Sequence, residues 1–260
     1  MTSTLIYSYP PLIAGTLMKR YKRFFVDIEL ETGEIITAHC ANTGPMTGIY
    51  IPGSPVRVSR SDNPKRKLAY SWEMIQLART WVGVNTNLPN QVIKLALHRG
   101  LFADLTPDGT EIASEVAYGF NKGSRIDFLL SHADGRKTYL EIKNTTWTQG
   151  NIALFPDTVT TRGQKHLEEL MAVLPEADAV MLYFINRDDC VYFAPGDRGD
   201  ARYGKLFRSA IARGVKILPY RFQVTPEGIY YLGVAQMLPE QPEIGNIPFL
   251  RLQAGNLFPA

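Results

Sequence analysis

Ser124-Arg125-Ile126-Asp127-Phe128-Leu129-Leu130 is followed after a short gap by Thr138-Tyr139-Leu140-Glu141-Ile142-Lys143. Both runs alternate polar and apolar residues with period two, the pattern of half-buried strands. On the first, Arg125 and Asp127 are expected on one face, with Ile126, Phe128 and Leu130 on the other. On the second, Tyr139, Glu141 and Lys143 share a face opposite Leu140 and Ile142. Two carboxylates and a lysine therefore occupy sheet positions where apolar residues are the rule.

The loop between these strands sets their register. A two-residue turn at Asp134-Gly135 would place Asp127 opposite Ile142 and send one of them to the wrong side. A three-residue loop, Ala133-Asp134-Gly135 with Gly135 left-handed, places Asp127 opposite Glu141 and keeps Lys143 close. The odd-numbered loop, or an equivalent bulge, is expected. Asp127 and Glu141 on opposite faces would exclude a metal ion shared between them.

Outward from this pair the pattern is that of an α/β unit. Asn87-Leu88-Pro89-Asn90 opens a helix that runs to Arg99 and stops at Gly100. Ile112 to Tyr118 reads as a strand preceding the two above. Thr160-Thr161-Arg162-Gly163 opens a second helix, with Leu167, Leu170, Met171 and Leu174 as its apolar stripe. Ala179 to Ile185 is a continuous apolar run, expected as a buried central strand. Tyr203 to Arg213 reads as a third helix ending at Gly214. Val215 to Leu218 reads as a strand, and Tyr220 to Val224 with Ile229 to Leu232 as a closing hairpin. The order predicts a C-terminal α/β domain with a mixed sheet over residues 83–260.

The first third, residues 1–82, reads differently. Arg23 to Leu30, the turn at Gly33 and Ile35 to Ala38 form a hairpin, and further turns at Asn42-Thr43-Gly44-Pro45 and Ile51-Pro52-Gly53 separate short strands. This spacing predicts a small all-β barrel of OB type. Two basic clusters decorate it: Lys19, Arg20, Lys22 and Arg23, then Arg57, Arg60, Lys65, Arg66 and Lys67. Tyr21, Phe24, Tyr70 and Trp72 lie among them, and nucleic-acid-binding barrels combine such cations with aromatic faces. The plainer reading is a solvated face over ordinary core aromatics.

Charge supports the division. Residues 1–82 carry ten Lys/Arg against six Asp/Glu, a net +4, whereas residues 83–260 carry eighteen against nineteen, a net −1. A positive module joined to one with an acidic site fits a polyanionic partner. No apolar run reaches the ~20 residues of a membrane span, and the N-terminus shows no secretory pattern. Only Cys40 and Cys190 occur, outside any C-x-x-C pattern, so both are expected as packed small hydrophobes in a reduced, cytoplasmic setting. The four histidines show no zinc-ligand spacing.

An aspartate followed by Glu-x-Lys on the next strand is the layout of a metal-dependent phosphodiesterase site, and the α-β-β-β-α-β order resembles the PD-(D/E)xK nuclease superfamily. Over nearly the whole chain, Asn42-Thr43-Gly44-Pro45-Met46, Ser124 to Leu129, Glu141-Ile142-Lys143-Asn144, Phe155-Pro156-Asp157 and Thr161 to Leu167 resemble the sugar fermentation stimulation protein family (SfsA). The resemblance implies an OB-like N-terminal domain, a nuclease-like C-terminal domain and DNA binding. One departure is clear: many superfamily members place a further glutamate on the helix before the first core strand, and Asn90 to Leu101 contains no acidic residue. Glu115 is the nearest candidate for a third ligand, and Glu111 a weaker one.

Asp127 and Glu141, with Glu115 or the Ile142 carbonyl, are thus the candidate ligands of Mg²⁺ or Mn²⁺, which takes hard oxygens and needs only two carboxylates plus a substrate phosphate. Lys143 would orient the attacking water or stabilise the transition state. Arg162 and Lys165, in the first turn of their helix, would grip a flanking phosphate. Gln164 and His166 are weaker candidates. Two functions compete: a Mg²⁺-dependent DNA endonuclease, and a non-catalytic DNA-binding regulator of sugar (maltose-type) metabolism genes. A rival account makes Asp127, Glu141 and Lys143 a solvent-facing ion-pair cluster.

Overall fold

The computed structural model describes residues 3–119, 123–174 and 176–243. Seven strands precede the first helix: β1 (Thr4–Ser8), β2 (Leu12–Tyr21), β3 (Phe25–Leu30), β4 (Ile35–His39), β5 (Pro55–Arg60), β6 (Tyr70–Leu77) and β7 (Thr80–Gly83). Strands β2 to β6 roll into the expected barrel in the order β4-β3-β2-β5-β6, and β4 meets β6 to close it. Gly33, with φ 82°, turns β3 into β4. Val26, Ile28, Ala38, Val56, Val58 and Trp72 fill the interior, because alternate residues of every strand point inward. Cys40 and Cys190 are buried free thiols, packed as small hydrophobes.

The C-terminal part follows as α1 (Leu88–His98), β8 (Glu111–Tyr118), β9 (Ser124–Ser131), β10 (Lys137–Thr145), β11 (Trp147–Gln149), β12 (Ile152–Phe155), α2 (Thr161–Val173), β13 (Asp178–Ile185), β14 (Tyr192–Pro195), α3 (Ala201–Arg213), β15 (Lys216–Val224), β16 (Gly228–Val234) and β17 (Gln236–Met237). Strands β8, β9 and β10 are antiparallel, while β10, β13 and β15 are parallel, so the sheet is mixed. It continues through β15 and β7 into the barrel, joined there by the single pair Val224–Trp81. On one face α1 packs Val92, Ile93 and Ala96 against Phe128, Leu140 and Leu182. On the other, α2 and α3 pack Leu167, Leu170, Phe207 and Ala210 against Met181 and Tyr183.

The structure departs from the sequence reading at four places. Strand β1, counted above with the barrel, pairs with β16 of the C-terminal sheet, and Ile6 joins the core under α1. Residues 216–224 form one strand through Pro219, not two. The Pro219 carbonyl accepts from Ala235 N, while pairing with β16 begins only at Tyr220, so the missing N–H costs no rung there. A small second sheet, β11-β12-β14-β17, was not foreseen, its strands being too short to show a period.

The fourth concerns faces. Lys137 pairs with Ser131 and Leu140 with Phe128, around the three-residue loop in which Gly135 has φ 84°, so the odd-numbered loop is present. Yet Ile126 packs under α2 while Phe128 and Leu130 pack under α1. The alternation breaks at Asp127, opposite Glu115. Glu115 has φ 55°, and the 115/127 pair is missing from an otherwise continuous ladder. Asp127 therefore does not share a face with Arg125, as expected from period two alone.

Candidate metal and nucleic-acid site

Strand pairing between β9 and β10 ends at Leu140–Phe128. One residue on, the Asp127 side chain reaches into the opening seam and takes over the ladder's role. Its Oδ2 accepts the Ile142 N–H at 2.7 Å, and its Oδ1 accepts the Asn90 side-chain amide at 2.7 Å. Asn90 lies in the first turn of α1, whose apolar stripe packs that turn against the sheet. Glu141, one residue before Ile142, points toward α2. Its Oε1 accepts from Lys143 Nζ at 2.6 Å and meets His166 Nδ1. A His166 that donates from Nδ1 can accept at Nε2, where Arg162 Nε stands at 3.4 Å. The Glu141 and Lys143 side chains are only 3% and 13% exposed. A solvent-facing ion-pair cluster is therefore not what these residues form.

The two carboxylates leave their strands on opposite sides, which on a regular sheet would exclude a shared ion as stated above. The broken ladder at Asp127 lifts that exclusion, because its side chain enters the seam instead of standing on a face. The two groups approach through the seam, Asp127 from the α1 side and Glu141 from the α2 side, close enough to repel. Burial, then the Glu141 charge, push the Asp127 carboxyl up to about 6, against the hydrogen bonds and the nearby Lys143. Burial also opposes ionisation of Glu141, but Lys143 and His166 outweigh it and hold its carboxyl below the ordinary value. Glu141 Oε2 is buried with no hydrogen-bond partner among the described residues. A hard cation satisfies such an oxygen, so a two-carboxylate metal site fits the donor set. Glu115 does not complete it: that residue is exposed, and among the described residues no three His, Cys, Asp or Glu side chains converge as a metal cage.

Glu115 instead walls a cleft of about 630 Å³ together with Arg125, Arg162, Lys165 and His166. This cleft borders the Glu141–Lys143–His166 cluster through the shared His166. The α2 N-terminus opens into it, and Thr160 caps the helix by accepting from Gly163 N at 3.1 Å. Lys165 is partly neutralised by Glu169 at 3.5 Å. On the barrel, Arg20 is committed to the Asn42 and Gly44 carbonyls, and Arg57 lies over the Trp81 ring. Lys19 pairs with Asp27, and Arg66 donates to Ser71. Lys22, Arg23, Arg60, Lys65 and Lys67 are exposed.

Four residues of this region were missed in the sequence. Asn90 occupies the helix where a third carboxylate was sought, and supplies an amide instead. Glu169 accepts from Ser124; among the described residues its second buried oxygen and the Tyr118 hydroxyl make no hydrogen bond within 3.5 Å. The only available signal for Glu169 was a charge beside the apolar stripe of α2. Asp200 caps α3 through Tyr203 N and also accepts from Thr160 N and the Gln164 side chain, tying the start of α2 to α3.

Asp200 supports a stability prediction. Burial works against its ionisation, but those hydrogen bonds prevail and its carboxyl lies below the ordinary value. Asp200→Ala is expected to cost about 2–4 kcal/mol, from a lost cap and stranded donors. A depressed folded pKa gives stability that is present above the unfolded value and lost as pH falls through the folded one. The deficit of the variant in thermal melts should therefore be full at neutral pH and shrink in acid below about 4. A deficit that is constant down to strong acid would contradict it.

Comparison with known proteins places two family models on successive parts of the chain. The family model for the sugar fermentation stimulation protein RE domain matches residues 87–228, and that for the SfsA N-terminal OB domain matches residues 18–84. The sugar fermentation stimulation protein homolog of Microcystis aeruginosa is 70% identical over 237 residues, covering 91% of this chain and 99% of that one. The homolog of Rippkaea orientalis is 63% identical, covering 92% and 99%. The solved structure of Pyrococcus furiosus SfsA in complex with Ca²⁺ matches with a TM-score of 0.82 at 22% identity, over 90% of this chain and 99% of that one, and so shares the fold.

Proposed function

Because the chain belongs to the sugar fermentation stimulation protein family, we propose that it binds DNA and cuts it with a divalent cation held by Asp127 and Glu141. The observation that carries this reading is the unpartnered Glu141 Oε2, buried beside a second carboxylate and a lysine. The Ca²⁺ of the Pyrococcus furiosus structure supports a hard divalent cation in this chain too, and Mg²⁺ or Mn²⁺ suits the same oxygens. Such a cation, when bound, activates a water and balances charge on the phosphate.

The side chains divide the remaining work. Asn90 and the Ile142 N–H hold the Asp127 carboxylate in the seam with one lone pair on each oxygen still free. Lys143, a compact cation on the Glu141 side, orients the attacking water or meets charge on the phosphate. Arg125, Arg162 and Lys165 line the cleft where the DNA backbone would pass, next to the helix N-terminus that favours anions. A second reading, DNA binding without cleavage, draws on Asn90. Where a third acid would complete a cage, this chain has a neutral amide already bonded to Asp127.

A cleavage assay separates the two. Supercoiled, linear, single-stranded and branched DNA would be incubated with Mg²⁺ or Mn²⁺, with binding followed in parallel. Cleavage is the expected result; salt-dependent binding with no cleavage in either metal would leave the regulatory reading. The double variant Arg162→Ala, Lys165→Ala is expected to flatten the plot of log affinity against log salt by about 2, since each phosphate contact contributes about 1 to the slope. An unchanged slope would remove the cleft from the path of the DNA.

A further inference from the structure

We propose that a pocket on the barrel, which shares no lining residue with the cleft at α2, takes an unpaired nucleobase, so that this module reads single-stranded DNA. Its walls are Phe24, Phe25, His39, Arg66, Lys67 and Leu68, enclosing about 480 Å³, mostly apolar, with cations but no carboxylate among them. The proposal rests on the nucleic-acid reading above and goes beyond it by assigning the state of the strand.

Register explains how the pocket arises. Tyr21 pairs with Phe25, and Phe25 with His39, so the three form one row across β2, β3 and β4. Their chain neighbours Val26 and Ala38 point into the barrel core, which leaves this row on the outer surface. The Tyr21 and Phe25 rings lie stacked, centroids 5.6 Å apart and 19° from parallel. Phe24 is 48% exposed and Tyr21 37%, so the core does not account for them. The next row, Lys19–Asp27–Thr37, is polar, and it holds Tyr21 at the edge of the aromatic row: the Tyr21 hydroxyl donates to Asp27 Oδ1 at 3.2 Å and Lys19 lies over its ring, which leaves Phe24 as the aromatic without such a partner.

The turn that presents Phe24 is also unusual. Lys22 and Arg23 have φ of 48° and 64°, a conformation costly for residues with a Cβ and normally given to glycine or asparagine. Cations are thus kept at a turn that favours other residues, beside an exposed aromatic. Arg66 and Lys67, from the segment between β5 and β6, line the same pocket. An apolar slot rimmed by positive charge matches a nucleotide: a flat base for the slot and phosphates for the rim. An acyl chain would leave the cations unused. A paired base in a duplex cannot enter, because its faces are already stacked.

The test is fluorescence anisotropy on the full chain in EDTA, which removes metal and prevents cleavage. Three probes are used: an oligothymidylate of about twenty nucleotides, the same backbone with abasic sugars, and a duplex of equal length. Wild type is expected to bind the oligothymidylate more tightly than the abasic strand. Phe24→Ala should weaken oligothymidylate binding about 5- to 150-fold, the range for one stacked base, while leaving the abasic strand and duplex unchanged. Phe24 is exposed, and matching melting curves will show that the variant folds; Phe25→Leu serves as a second probe of the same wall. Equal losses on all three probes, or none on the oligothymidylate, would overturn the proposal. If wild type binds duplex but shows no preference for bases over abasic sugars, this pocket fails and the DNA reading stands. If it binds none of the three, both fail.

Discussion

Asp127→Asn is expected to abolish cleavage and to weaken divalent-cation binding by at least about 100-fold, while making the metal-free protein more stable at neutral pH. The first half follows from ligand chemistry. Among the described residues only two carboxylates meet at the seam, and even an outer partner of a metal ligand is worth about 10- to 100-fold in affinity. The second half follows from burial. Lack of solvent, then the Glu141 charge, raise the Asp127 carboxyl from 3.8 to about 6. A raised folded pKa means the group stabilises the fold below the unfolded value, and that this contribution is lost as pH rises through about 6. By pH 7 the ionised carboxylate costs about 2–3 kcal/mol, at 1.36 kcal/mol per pH unit. The neutral amide avoids it. Calorimetric Mn²⁺ titration and melts in EDTA from pH 4 to 8 would check both halves. The variant's advantage should open as pH rises through the folded value; curves that stay parallel would refute the electrostatic account. On the proposed function, a site that destabilises its own fold until a cation arrives is a familiar trade between stability and activity.

The largest effect on the fold itself is expected from Phe184→Ala. Phe184 is fully buried on the central strand β13 and stacks on Phe222 of β15, ring centroids 3.7 Å apart and 7° from parallel. Removing the ring leaves a cavity under α1 that close-packed neighbours fill only in part, at a cost of about 3–5 kcal/mol. Set against a total of about 5–15 kcal/mol, that is a large share. Denaturant titration should show a lower midpoint with little change in slope. A midpoint within error of wild type would mean that the core collapses around the gap. Its chain neighbour Tyr183 faces the other way, bonding Tyr203 on α3, so the lesion should leave the α2 side of the sheet intact.

Much of the architecture was legible. Helices α1, α2 and α3, strands β3, β4, β8, β9, β10 and β13 and the hairpin at Gly33 all stand where periodicity and turn residues put them. Their burial depends on neighbours within a few residues, which a linear pattern records. The loop around Gly135 was equally readable, because face parity allows only an odd loop. Asp127 itself was misread: two-residue periodicity assumes a regular strand, and Glu115 in a left-handed conformation breaks the ladder across from it. Nothing in a glutamate announces a positive φ. Such strain persists only when surrounding packing holds it.

Local pattern was enough to read the two modules, their strand and helix order, and the placing of Asp127, Glu141 and Lys143 on adjacent strands. Each of these rests on local repetition or on a loop of a few residues. Only the packed fold brings Asn90 onto Asp127 from 37 residues away and His166 onto Glu141 from 25. Arg66 and Lys67 come to line one pocket with Phe24 and Phe25 in the same way. Those meetings depend on how helices seat on the sheet and how the barrel closes. Seating and closure follow from the summed packing of many distant side chains, a quantity with no period to read along the chain.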